Sequence, residues 1–167
     1  MIYRDATPSD AAAIAKLARA SFTETFGHLY TPDNLAAFLT SHTAEDWARV
    51  LTEPDVAVRV VEVDGALVGY ARVGPPTLPI EPRGNALELR QFYLLKPWHG
   101  SGHAHKMMDW VLATARARDA DELFLSVFVD NVRAQRFYAR YGFEDVGRYA
   151  FMVGSHEDED RLMRLAL

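Results

Sequence analysis

Two glycines, a serine and an alanine crowd the segment WHGSGHAHKMM at 98–108, which follows the largely apolar stretch LELRQFYLL at 87–95. A strand that passes through a glycine-rich turn into a helix offers an anion the helix's first unpaired N–H groups and the positive end of its dipole. Small side chains there let phosphate oxygens reach the backbone. Gly100, Ser101, Gly102 and Ala104 give that access. The turn lacks the lysine and hydroxyl that end a P-loop and the spacing of a dinucleotide fingerprint, so it suits a pyrophosphate that is held and not cleaved. Taken alone, the same residues also suit a tight turn that binds nothing. Glu88 lies inside the strand stretch, where apolar neighbours make an ionised carboxylate costly and a proton welcome. A solvent-facing glutamate, or one paired with Arg90, is the competing reading. The histidines (His28, His42, His99, His103, His105, His156) show no spacing typical of metal ligands, so no metal is expected.

The elements that must position these residues can be read from capping and periodicity. Ile2 to Arg4 suit a short strand. Thr7-Pro8 opens a helix carrying Ile14, Leu17, Ala18 and Phe22 on one face, Thr31-Pro32 opens a second, and Thr43 a third. Residues 56–63 and 66–73 are strand-like and flank Asp64-Gly65, a hairpin dipeptide. Four prolines make 74–84 a loop. A fourth strand over 86–95 precedes the glycine turn, and the following helix places Met107, Met108, Val111, Leu112 and Ala115 on one face. Residues 123–129 suit a central strand. Asn131 starts a helix that Gly142 ends, and two last strands, near 143–153 and 160–167, flank a polar turn, GSHEDED. The pattern predicts one α/β domain over 1–167.

Composition narrows the function. The chain has 167 residues and no cysteine, which excludes thiolate zinc sites, cysteine nucleophiles and a disulfide scaffold. Eighteen basic against 23 acidic residues give a net charge of −5, unsuited to holding nucleic acid by counterion release but compatible with a cationic substrate. No apolar h-region or spanning segment is present, so a cytoplasmic protein without a membrane partner is expected.

One further string, NVRAQRFYARYGF at 131–143, decides between the alternatives. With the turn at 99–104 it resembles the paired acyl-CoA signature of the GNAT superfamily of acetyl-CoA-dependent N-acetyltransferases; His99 stands where that family usually has Gln or Arg. The resemblance implies an α/β (α+β) fold, a mixed, mostly antiparallel central sheet of about seven strands flanked by helices, with the fourth and fifth strands splayed. It implies acetyl-CoA as cosubstrate, its pantetheine arm along the backbone of Phe92, Tyr93 and Leu94 and its pyrophosphate on His99, Gly100, Ser101, Gly102, His103, Ala104 and His105. Asn131, Phe137 and Tyr138 would flank its thioester end. Glu88 matches the glutamate that serves as base in the histone-acetyltransferase branch, and Tyr138 the tyrosine that protonates the departing thiolate. Residue 126, where the N-terminal ribosomal-protein acetylases carry a glutamate base, is Ser126.

The stretches at 22–39, 89–100 and 147–163 look most like bacterial spermidine/spermine N-acetyltransferases, which implies a small polyamine acceptor. Glu24, His28, Tyr30 and Asp33 on the first two helices and His156 to Asp160 between the last strands would then surround the amine through ion pairs and cation–π contacts. HEDED at 156–160 is nevertheless read as a solvated hairpin turn in preference to a binding element. A protein lysine or N-terminal amine is the alternative acceptor, and a catalytically silent acyl-CoA-binding module the alternative function. Members of the family often form homodimers.

Overall fold

Thr7, Thr31 and Thr43 each hold extended backbone immediately ahead of helical chain. The Thr31 hydroxyl accepts from Asn34 N. Thr43 accepts from Asp46 N while the Asp46 carboxylate accepts from Thr43 N, a reciprocal cap that satisfies donors no helix can satisfy itself. These signals open α1 (Ala11–Phe26, after one tight turn at Pro8–Asp10), α2 (Pro32–Leu39) and α3 (Ala44–Val50). β1 (Ile2–Asp5) precedes them. β2 (Ala57–Val63) and β3 (Ala66–Gly74) follow as a hairpin whose Asp64 and Gly65 have φ of 50° and 80°, the left-handed pair that a two-residue turn needs. Then come β4 (Ala86–Leu94), α4 (His103–Ala117), β5 (Glu122–Phe128), α5 (Val132–Arg140), β6 (Glu144–Val153) and β7 (His156–Ala166).

The computed structural model describes residues 1–167, and all seven strands join one sheet in the order β1-β2-β3-β4-β5-β7-β6, antiparallel except for β4 and β5. Both faces are covered. Met107, Met108 and Val111 of α4 pack with Leu89, Leu123 and Tyr138 on one side, and Ile14, Leu17 and Trp47 pack with Val60 and Tyr70 on the other. Each such side chain contributes about 1.5–3 kcal/mol when fully buried.

Residue pairing explains the geometry between β4 and β5. Only Ala86/Glu122, Leu87/Leu123 and Glu88/Phe124 are paired, after which the two strands part. Arg72 pairs with Gln91 but Val73 with Leu89, so Arg90 is an extra residue that bends β4 where the ladder ends. The closed end is tied by buried Glu122, whose carboxylate accepts from Arg164 Nε (2.6 Å) and Arg83 N (2.7 Å). Glu122→Ala strands the Arg164 guanidinium, which keeps only a fifth of its side-chain surface in water. A loss of about 3 kcal/mol in urea unfolding is the expected result.

The last hairpin departs from expectation. The turn is only Gly154-Ser155, and HEDED is not a solvated loop: β7 begins at His156, and its alternation buries Asp158 and Asp160 on the face that also carries Leu162. Asn34, whose side-chain oxygen accepts from Ser155 N and Ser155 Oγ, pins this turn to α2.

Candidate active site

The strands that part beyond Glu88 open a cavity of about 790 Å³ that runs from the start of α4, between β4 and β5, to the face covered by α1 and α2. At the first end, Gly100 and Gly102 have φ of 77° and 81°, and a Cβ built on either meets nothing within 4 Å. Glycine is required there by backbone conformation, and the space in front of the turn is open. The first turn of α4 bonds back only from Lys106 N to Gly102 O (3.2 Å), so the N–H groups of His103, Ala104 and His105 face that space without intrahelical partners. Gly100, Gly102, Ala104 and His105 line the cavity; Ser101 and His103 do not. The His103 ring turns away, its Nδ1 sharing a 2.5 Å hydrogen bond with the Tyr3 hydroxyl, so only its main chain serves the turn. His99 donates from Nε2 to Leu94 O (2.5 Å), which leaves Nδ1 to accept from Arg133 (2.9 Å). A histidine can thus occupy the place of a longer polar side chain by bracing the strand end and a guanidinium. Arg133 and Arg140, which sequence reasoning did not single out, line the same end and carry the positive charge a polyanionic cofactor needs.

The middle is aromatic. Phe92, Phe137 and Tyr138 lie with ring centroids 5.6–6.3 Å apart, and Phe143 backs Tyr138 at 5.8 Å. The Tyr138 hydroxyl has no hydrogen-bond partner in the protein, and burial, followed by the neighbouring Tyr93, pushes its phenol far above the ordinary tyrosine range. It therefore stays protonated at any working pH. Asn131 lines the cavity but commits its side-chain oxygen to Ala134 N (3.2 Å) as the cap of α5.

The far end gathers three buried carboxylates. Glu88, 4% exposed, accepts from Thr77 N (2.9 Å), Leu78 N (3.0 Å) and the Thr77 hydroxyl, with Arg90 Nε at 3.9 Å. It thereby fastens the proline-rich loop over the cavity. Asp158 accepts from the Tyr30 hydroxyl on one oxygen and bonds His156 Nε2 (3.1 Å) through the other. Asp160, 6% exposed, has only the Ser126 hydroxyl near it, and burial, reinforced by the charge of Asp158, pushes its carboxyl up to about 6 despite that neighbour. Gln91 Oε1 and Arg72 Nε are buried in the wall without partners.

Of Glu24, His28, Tyr30 and Asp33, Tyr30 alone reaches this end, and of His156 to Asp160 the two aspartates do. Glu24 and His28 lie off the cavity: Glu24 is half-buried and accepts from Lys96 N (3.1 Å) just past the end of β4, and His28 is exposed in the tight turn Gly27–Leu29 that follows α1. Asp33 is exposed as well. Asp158 and Asp160, which the sequence named near the acceptor but read in preference as part of a solvated turn, are buried here, and extending the period-two alternation of β7 back from Leu162 would have decided that choice. No group of three or more His, Asp or Glu side chains is arranged to hold a metal ion.

Comparison with known proteins agrees with this geometry. Residues 12–143 match the model of the acetyltransferase (GNAT) family. An uncharacterised N-acetyltransferase of Mycobacterium tuberculosis is 35% identical over 156 residues, 93% of this chain and 96% of that protein. A spermine/spermidine N(1)-acetyltransferase of Bacillus subtilis is 25% identical over 134 residues, covering 72% and 88%. The PaiA N-acetyltransferase of Thermoplasma acidophilum, solved with coenzyme A, superposes with a TM-score of 0.79 at 16% identity, over 99% of this chain and 98% of that one.

Proposed function

Because the chain belongs to the acetyltransferase (GNAT) family, whose members move an acetyl group from acetyl-CoA to an amine, we propose that its acceptor is a primary amine on a small polycation of the polyamine class. The observation that carries this reading is the far end of the cavity, where Asp158 and Asp160 are buried beside Tyr30 and Tyr93 and Gln91 offers an unused acceptor. Carboxylates and aromatic faces in one enclosure favour an alkylammonium. The similarity to the spermine/spermidine N(1)-acetyltransferase of Bacillus subtilis lends further support.

Acetyl-CoA supplies an acyl group activated as a thioester. The chain's own part is to hold and to move protons. The free N–H groups at the start of α4 and the guanidinium groups of Arg133 and Arg140 suit the phosphates. The β4 edge beyond Glu88, freed by the splay, suits an extended amide-bearing arm; Leu94 O is already taken by His99, which leaves Phe92 and Tyr93 main chain for it. Tyr138 holds a proton where a thiolate would leave, and Asn131 frames the same spot. An alkylammonium, with a pKa of about 10 in water, must lose a proton before it can attack. Glu88 and Asp160 are the cavity carboxylates not already saturated by a tyrosine and a histidine.

CoA release measured with spermidine, spermine, simple diamines and lysine peptides tests the assignment, with polyamines expected to turn over fastest by about tenfold or more in kcat/KM. Equal or faster turnover of peptides would overturn it. A peptide or protein amine is the second reading, favoured by Arg72, whose buried, unpartnered Nε would take a peptide carbonyl.

A further inference from the structure

Three carboxylates reach the acceptor end of the cavity, and their hydrogen bonds set them apart. Asp158 has both oxygens engaged, by Tyr30 and by His156. Glu88 has both oxygens engaged by Thr77 and one also by Leu78 N, and through them it shapes the 74–85 loop. Asp160 has only the Ser126 hydroxyl near it and keeps lone pairs free toward the cavity. Its position follows from register. Asp160 pairs with Phe128 at the open end of β5, beyond the last β4/β5 pair, so it sits across the gap from the freed half of β4.

We propose that Asp160 is the general base that takes the proton from the acceptor ammonium, and that Glu88 is a positioning residue that holds the loop over the site. This rests on the reading of the chain as an amine acetyltransferase. In the step, an N–H bond of the ammonium breaks and its proton passes to Asp160. The nitrogen lone pair then forms the C–N bond to the acetyl carbon as the C–S bond breaks, the thiolate takes a proton from Tyr138, the nitrogen's surplus proton restores the Tyr138 phenol, and Asp160 gives its proton to solvent. No oxidant or further reactant is needed.

The groups facing Asp160 support this role. Ser126 and Phe128 come from β5, Tyr149 is its partner on β6, Tyr93 approaches from β4, Tyr30 from the α1–α2 connection, and Asp158 from its own strand. None of them carries a positive charge, so nothing in its surroundings locks the ionised form, and burial holds its carboxyl up at about 6. A base of that kind is half ionised near pH 6 and mostly ionised at neutrality, so it can both accept and release a proton within one turnover.

The pH dependence of kcat/KM for a diamine, in wild type, Asp160→Asn and Glu88→Gln, tests the assignment. In the wild type a rise through about pH 6 to a plateau is expected, because the ionised base removes the ammonium proton. Asp160→Asn should lose at least tenfold at pH 7 and climb by about a decade per pH unit toward the pKa of the free amine, without a plateau. Glu88→Gln should be slower yet keep the limb near pH 6. Partial recovery of Asp160→Ala by formate would support the base role, since a merely structural aspartate is not replaced by a free acid. Melting curves give a readout without substrate. A carboxyl whose folded pKa is raised destabilises the ionised native state, so Asp160→Asn should melt above wild type at pH 8 and level with it near pH 4. An Asp160→Asn enzyme that keeps the plateau, or a melting difference independent of pH, would overturn the assignment to Asp160. A wild type that acetylates no amine at any pH would instead overturn the amine reading and the base with it.

Discussion

Gly102→Glu is expected to weaken acetyl-CoA binding by about a hundredfold or more while leaving a folded chain. The residue stands ahead of α4 with φ of 81°, where an L side chain costs about 1–2 kcal/mol. A Cβ meets nothing within 4 Å, so no core contact is lost. The added carboxylate, in contrast, would stand in the space that a pyrophosphate needs, at the one helix end where that space is lined by backbone donors. Isothermal titration with acetyl-CoA checks the result, and Gly102→Ala separates the contributions: it carries the strain without the charge, so its affinity should lie close to wild type at reduced stability. Unchanged affinity in the glutamate variant would place the phosphates elsewhere.

Tyr138→Phe should lower kcat by about 10²–10³ with the dissociation constant of acetyl-CoA unchanged. The ring packs against Phe92, Phe137 and Phe143, contacts that phenylalanine keeps. The hydroxyl bonds nothing in the protein, so its removal leaves no partner unsatisfied and the melting temperature should hold. What disappears is a proton held by a phenol that burial keeps neutral through the alkaline range. Single-turnover CoA release is the measurement. A rate equal to wild type would reduce Tyr138 to a packing aromatic and return proton delivery to solvent.

Local signals were the legible part of the sequence. Asp64-Gly65, the threonines ahead of α1, α2 and α3, and Asn131 ahead of α5 act through partners within four residues, so their meaning does not depend on the rest of the chain. The paired motifs at 99–104 and 131–143 carried the family, and with it the seven-stranded sheet. What could not be read was which polar residues the fold would bury. Asp158 owes its place to Tyr30, 128 residues away, and a run of four acids and a histidine looks like a solvated turn until such a partner is known. Glu24 and His28 failed for the reverse reason. They lie near Tyr30 along the chain, but the α1 face turned toward the sheet is taken by Phe22, which stacks on Phe38, and Phe26, which meets Phe128 edge-on, while Glu24 is spent on Lys96 N and His28 falls in the turn beyond the helix. His99 was legible as a departure from the family's usual residue, and its geometry supplies the reason that departure is tolerated.

The three-rung ladder between β4 and β5 has a further consequence. Past Glu88 the sheet presents two bare strand margins inside the molecule, and such margins ordinarily recruit foreign strands and seed aggregation. These two are kept from each other by the bend at Arg90 and from outside chains by the aromatic rings and the fastened loop above them. A narrow, extended guest that can hydrogen-bond along one margin is admitted where a full polypeptide strand is not. A cosubstrate arm paired with one margin would complete the interrupted sheet and cover an edge that would otherwise invite a foreign strand.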